Sequence, residues 1–155
     1  MADLVGWRIT KEKHSKDAFS GEGARIFGGR WNSVAVPVVY CSENLSLAAL
    51  ETLVHIVPAT LKDKYRAYQI RFDESLLASL IETKLPKGWN AEPPTAVSQK
   101  IGDEWIKAGR SAVLSVPTVL VPFERTLLLN PKHPDFKKIK IRDTGRFMLD
   151  PRLKR

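Results

Sequence analysis

Between Gly28 and Glu51 the chain reads GGRWNSVAVPVVYCSENLSLAALE, and this run holds a guanidinium, an indole, an amide, a phenol, a thiol and a carboxylate. Arg30, Trp31 and Asn32 follow two residues without a Cβ. That arrangement suits a loop closing around an anion, because glycine lets backbone approach closely and the arginine fork matches phosphate or carboxylate oxygens. The same Gly28-Gly29 pair also suits a plain tight turn. Tyr40 ends an apolar β-branched run, and Glu51 follows on a segment of helical period. On a wheel of about 100° per residue, Glu51 falls about 40° from Leu47, at the edge of the apolar stripe, where a carboxylate is half-buried. A carboxylate partly out of water on a rigid helix, with a ring on the preceding strand and a cation on the loop before it, is a grouping that can bind an anionic ligand and act on it. A solvated Glu51 and a core Tyr40 would use the same letters, so spacing alone leaves both readings open.

Other chemistries are absent. One cysteine, Cys41, and three scattered histidines, His14, His55 and His133, give no metal-ligand spacing. No histidine stands near Cys41 to hint at a thiol nucleophile. There is no G-x-S-x-G elbow, P-loop or G-x-G-x-x-G, which argues against the common hydrolase, NTPase and dinucleotide-dehydrogenase chemistries. His133 beside Asp135 reads as a corner tie. Arg8, between Trp7 and Ile9, would be buried and in need of an anionic partner or a structural salt bridge.

The elements that must position these groups follow from period and punctuation. Leu4 to Ile9 alternates as a first strand, and Lys11 to Gly23 is a polar, glycine-bearing stretch expected to be a mobile loop. Val36 to Cys41 reads as a short buried strand, with Pro37 at an edge or at its start. Leu47, Leu50, Val54 and Val57 then recur at helical spacing, capped by Ser42 or Asn44 and stopped by Pro58. Tyr65 to Phe72 alternates as a strand, and 83–95 is an irregular connection. Thr95 caps a helix running to about Ala108, with Val97, Ile101 and Trp105 on its stripe and Gly109 at its end. Ser111 to Val121 is strand-like with Pro117 forcing a bulge or bend, Leu127 to Leu129 is a short apolar run, and Lys138 to Arg142 alternates as a half-buried strand. The elements lack a βαβ rhythm, so the expected class is α+β, as one domain over residues 1–155.

A hydrophobic content of 43% and a charged content of 27% suit a soluble globular domain large enough for its own core. The N-terminus lacks the apolar block of a signal peptide, and no run reaches spanning length. With a single cysteine, a cytoplasmic location is expected. The net charge is +8, of which residues 137–155 supply +6 from eight cations against two carboxylates. Such a balance suits an anionic partner. Direct nucleic-acid binding is not expected, because aromatics are not interleaved with Lys and Arg and no helix-turn-helix or zinc-finger pattern occurs.

Taken together, Trp7-Arg8-Ile9, GGRWN at 28–32, VVYCSE at 38–43, LAALE at 47–51, Gly102-Asp103-Glu104-Trp105, SVPTVLVP at 115–122, LLLNPKHPDF at 127–136 and DPRL at 150–153 resemble the RES-domain family, in order and over almost the whole chain. The resemblance implies an ADP-ribosyltransferase-like fold of mixed sheets flanked by helices. It further implies a bacterial toxin of a type II toxin–antitoxin pair that consumes NAD+, with an Xre-like helix-turn-helix antitoxin as partner and room for a homo-oligomer within that complex. Carried over by position, the family's arginines fall on Arg8 and Arg30, its tyrosine on Tyr40 and its glutamate on Glu51, with Asn32 beside the substrate. Where the family usually has V-P-S this chain has Val116-Pro117-Thr118, so the hydroxyl falls to Thr118 or Ser111. Thr126 stands where asparagine is common, and Ala35 where glycine is. The chemistry fits the residue types: a fixed carboxylate stabilises an oxocarbenium-like ribose, arginine forks hold a pyrophosphate, and an aromatic ring faces the cationic nicotinamide. NAD+ would be substrate, with no metal and no cofactor. The ADP-ribose could pass to water, phosphate or a protein, and a non-catalytic basic binding module is the remaining alternative.

Overall fold

The computed structural model describes residues 2–60 and 62–153. In chain order the elements are β1 (Asp3–Lys11), α1 (Glu22–Phe27), β2 (Val39–Ser42), α2 (Leu45–His55), β3 (Tyr65–Asp73), β4 (Leu77–Ser79), α3 (Ala96–Ala108), β5 (Val113–Pro117), β6 (Arg125–Leu129) and β7 (Lys140–Phe147), joined by short 3-10 turns. The strands form one seven-stranded mixed sheet in the order β4-β5-β6-β2-β1-β3-β7. Only β4 and β5 run parallel. The α+β class read from the sequence is the observed one.

Alternation along β6 places Leu127 and Leu129 in a cluster with Val39, Cys41, Ile70 and Phe72, and Leu128 in the opposite cluster with Trp31, Val38 and Trp105. A one-residue slip would exchange the two sets, so burial on both faces fixes the register. Each fully buried leucine of this kind contributes roughly 1.5–3 kcal/mol. Strand β5 is buried throughout, and the chain's apolar runs are its central strands.

The seam that matters for function lies between β1 and β2. Strand β1 pairs with β3 along its whole length, from Asp3–Asp73 to Lys11–Tyr65, yet meets β2 only at Trp7–Ser42. The two halves of the sheet therefore diverge on one side of that contact.

Several expectations are corrected. The stretch Lys11 to Gly23 is not a mobile loop: Glu12–Asp17 forms a 3-10 turn, Ala18 is buried, Phe19 packs edge-on to Tyr68 and α1 starts at Glu22. Pro37 precedes β2, so the strand is Val39–Ser42 and not Val36 to Cys41. The α2 stripe is turned: Leu47, Ala48 and Leu53 are buried, while Leu50 and Val54 are exposed. Strand β5 begins at Val113 and ends at Pro117, and after Thr118, whose N–H still bonds to Glu124 O at 3.2 Å, the chain bends away through Val121. Strand β7, expected to be half-buried, is an edge strand flanked only by β3, and its residues are exposed on both faces.

Helix α3 follows its punctuation. The Thr95 hydroxyl accepts from Val97 N at 3.3 Å, and Gly109 closes the helix at φ 61°, a left-handed cap that glycine adopts without a Cβ penalty. Its buried face is Ser98, Gly102 and Trp105, and Val97 is exposed. The helix packs against backbone here: a Cβ at Gly102 would lie 1.6 Å from the Trp31 carbonyl oxygen.

Candidate active site

A cleft of about 1480 Å3 opens where β1 and β2 part, lined by both strands, the Gly28–Trp31 loop, α2 and the turn after β5. It exceeds the roughly 300–1,000 Å3 of a drug-sized site and can take a dinucleotide.

Arg8 bridges the seam. Its Nε donates to Ala18 O at 2.6 Å and its Nη1 to Tyr40 O at 2.8 Å, joining β1 to β2 where the ladder is interrupted. The expected structural salt bridge is missing: among the described residues no carboxylate pairs with Arg8, and Nη2 has no protein partner. Burial lowers its pKa from the ordinary arginine value, and the half-buried guanidinium, which stays protonated in proteins, is a cation partly withdrawn from water. Such a cation is well placed to meet an anionic ligand.

The Gly28-Gly29 turn carries Arg30 into the same cleft. The loop is clamped by α3: Ser98 Oγ donates to Arg30 O at 2.6 Å, Gln99 Nε2 to Gly29 O at 3.0 Å, and Asp103 accepts from Ser33 N at 2.9 Å and from the Ser33 hydroxyl. Arg30 Nη1 donates to Trp89 O at 3.2 Å and Ala91 O at 2.8 Å, while Nη2 pairs with Glu92 at 2.8 Å.

Tyr40 faces the cleft from β2 with its hydroxyl fixed from behind. It donates to Asn32 Oδ1 at 2.6 Å and accepts from Trp31 N at 3.0 Å, and burial raises its pKa, so it stays a neutral phenol. Burial likewise pushes the neighbouring Cys41 thiol up to about 12, away from nucleophilic use.

Helix α2 starts at Asn44, whose side chain accepts from Leu47 N at 2.7 Å. Its Ala48, Glu51, Thr52 and His55 line the cleft. Glu51 is half-buried, and its carboxylate accepts from the Thr118 hydroxyl at 2.9 Å. Thr118, buried, also accepts from Leu120 N at 3.2 Å, which orients its proton toward Glu51.

The structure thus gathers Arg8, Arg30, Tyr40, Glu51 and Thr118 around one cleft. It leaves out two residues singled out from the sequence. Asn32 is fully buried, with Nδ2 donating to Ala24 O and Val36 O, so it holds the loop and Tyr40 and does not reach a ligand. Ser111 accepts from Trp105 Nε1 at 2.8 Å and donates to Val113 O at 3.0 Å, away from the cleft. Thr118 is therefore the hydroxyl at the site. The α3 clamp and Glu92 escaped sequence reasoning; the Gly102-Asp103-Glu104-Trp105 motif marked the clamp without disclosing its partner. No group of His, Cys, Asp and Glu able to hold a metal occurs among the described residues.

Known proteins can now be set beside this geometry. A toxin of Sphingobium sp. (strain YBL2) named "Prs ADP-ribosylating toxin" is 43% identical over 152 residues, covering 95% of this chain and 94% of the relative. A protein of Yersinia enterocolitica named "Toxin Res" is 36% identical over 152 residues, covering 97% and 100%. Among solved structures, a chain of the M. tuberculosis MbcT-MbcA toxin-antitoxin complex superposes with a TM-score of 0.75 at 20% identity, covering 98% of this chain and 87% of that one, which establishes a shared fold. The RES domain model matches residues 5–150. With that match spanning nearly the whole sequence and the relatives aligned end to end, the chain belongs to the RES-domain family.

Proposed function

We propose that this protein is the toxin of a toxin–antitoxin pair and that it acts by cleaving the nicotinamide–ribose bond of NAD+. The observation that carries the reading is the convergence, in one dinucleotide-sized cleft, of a hydrogen-bonded Glu51 carboxylate with the Arg8 cation, which pairs with no carboxylate among the described residues. Arg8 and Arg30 hold the pyrophosphate oxygens, and the Tyr40 ring lies against the nicotinamide. As the C–N bond breaks, nicotinamide leaves with the electron pair and positive charge grows on the ribose. Glu51, fixed in place before the reaction, stabilises that charge without reorganising. An acceptor oxygen then bonds to the ribose carbon: a water or hydroxyl gives up its proton to solvent, whereas a phosphate attacks through an anionic oxygen. The relatives' names support the toxin role, and the structural neighbour's place in a toxin–antitoxin complex supports a protein inhibitor; an Xre-like helix-turn-helix protein is the inhibitor proposed here.

Water or phosphate as acceptor is the leading reading. A protein acceptor is favoured by one observation, the name of the Sphingobium relative as an ADP-ribosylating toxin. Incubating the pure protein with NAD+ and following nicotinamide and ADP-ribose, with and without candidate protein acceptors, separates them. Glu51→Gln keeps the shape but removes the full negative charge, so nicotinamide release should fall by at least about a hundredfold, in line with loss of a preorganised electrostatic contact. Comparable turnover in the folded variant would sink the assignment.

A further inference from the structure

The Arg30 side chain is only 15% exposed, while that of its partner Glu92 is 76% exposed. The two have different means of staying in place. Arg30 is held by the Trp89 and Ala91 carbonyls on the segment whose Trp89 stacks on Trp31, with ring centroids 6.0 Å apart. Those two acceptors carry no charge and fix the guanidinium whether or not Glu92 is present. Glu92 adds a carboxylate at 2.8 Å from Nη2, on the wall of the same cleft. An ion pair with so exposed a member is weak and easily exchanged, because water competes for the carboxylate.

We propose that Glu92 sets the affinity and selectivity of the cleft for phosphate-bearing ligands, acting as a resident counter-ion on Arg30 that an incoming phosphate must displace. This rests on reading the cleft as a nucleotide site. While Glu92 is in contact, it offsets the positive charge that would attract the ligand, and its carboxylate repels a phosphate approaching the free edge of Arg30. The contrast with Arg8, which has no carboxylate partner among the described residues, divides the labour: Arg8 is an uncompensated cation, and Arg30 is one whose charge is metered. Ligands with more negative charge near Arg30 are penalised more, so inorganic pyrophosphate should be excluded more strongly than NAD+.

The test is calorimetric titration of NAD+ and of inorganic pyrophosphate into the Glu51→Gln protein, in which turnover is expected to be at least about a hundredfold slower, with and without Glu92→Gln. Glutamine keeps the size and an acceptor oxygen and removes only the charge. Glu104→Gln, an exposed carboxylate on α3, controls for the change in net charge. The expected result is a dissociation constant lowered about two- to fivefold by Glu92→Gln, the range of an exposed ion pair. The gain should be larger for pyrophosphate, larger than that of Glu104→Gln, and smaller as salt rises. Binding that is unchanged, weaker, or improved only as much as by Glu104→Gln would overturn the proposal, since it would make Glu92 a support for Arg30 or one charge among many. If pyrophosphate binds and NAD+ does not, the NAD+ reading fails while the pyrophosphate arm still judges Glu92. If neither binds, Arg30 is no anion site and the proposal falls with it.

Discussion

Replacing Thr118 by valine removes one hydroxyl and little else, because the two side chains have nearly the same shape. In the structure that hydroxyl is the donor to Glu51 at 2.9 Å and the acceptor for Leu120 N at 3.2 Å. A hydrogen bond to a charged group contributes about 1.5–3 kcal/mol. If that bond holds Glu51 where charge develops on the ribose, its loss appears in the transition state, and each 1.36 kcal/mol is tenfold in rate. The expected fall in kcat/KM is therefore about 10- to 150-fold, with most of it in kcat, because the ground-state contacts proposed for the pyrophosphate, with Arg8 and Arg30, would be untouched. Thr118→Ser keeps the hydroxyl and should remain within a few-fold of the parent protein. The assay is nicotinamide release from NAD+ under initial-rate conditions, with the fold checked by circular dichroism and thermal melting. A folded Thr118→Val protein within twofold of the parent would refute the reasoning, as would equal losses in the valine and serine variants.

Gly102→Ala should force α3 off the arginine loop, because the new Cβ would sit 1.6 Å from Trp31 O; a loss of about 3 kcal/mol, at the upper end for overpacking, should lower Tm by about 10 °C, and an unchanged melt would mean that the helix contact is misread. Ala35 holds φ 81°, so Ala35→Gly should relieve left-handed strain and stabilise by about 1 kcal/mol, read as a higher denaturant midpoint; a lower midpoint counts against strain there. Cys41 is pushed from 9.0 up to about 12 by burial. Its contribution to stability is present below the unfolded value and is lost as pH rises from about 9 toward 12, because the unfolded thiol ionises first. Denaturant unfolding at pH 8 and pH 10.5 should show that loss, reduced in Cys41→Ala; identical slopes in both proteins would assign the loss elsewhere.

Much of the local structure was legible because it depends on neighbours in the chain. Thr95 and Gly109 bracket α3 as their capping chemistry requires, and the apolar runs of β5 and β6 became interior strands of the sheet. His133 is likewise a corner tie, its Nδ1 accepting from Asp135 N at 3.0 Å. Periodicity failed where burial is decided by what packs from outside. Helix α2 shows a stripe of Leu47, Leu50 and Val54, but Val54 lines the open cleft with Glu51 and His55 while Leu50 lies outside it, and both stay exposed.

The site divides along the same line. By itself the sequence determined which groups are available: a guanidinium beside two glycines, a tyrosine on a strand, a glutamate at the edge of a helix stripe, and a family pattern spread over the chain. It could not decide between Ser111 and Thr118, because both are hydroxyls flanking β5 and only the fold shows which end of that strand adjoins the cleft. It could not tell that Asn32 is spent on backbone carbonyls, nor that Arg8 spans a break in the sheet. Those outcomes depend on contacts between residues far apart in the chain, Thr118 with Glu51, Arg30 with Glu92, Gly102 with Trp31. Hydrogen bonds and steric exclusion act over a few ångströms of space regardless of sequence distance, so only the folded arrangement assigns their partners.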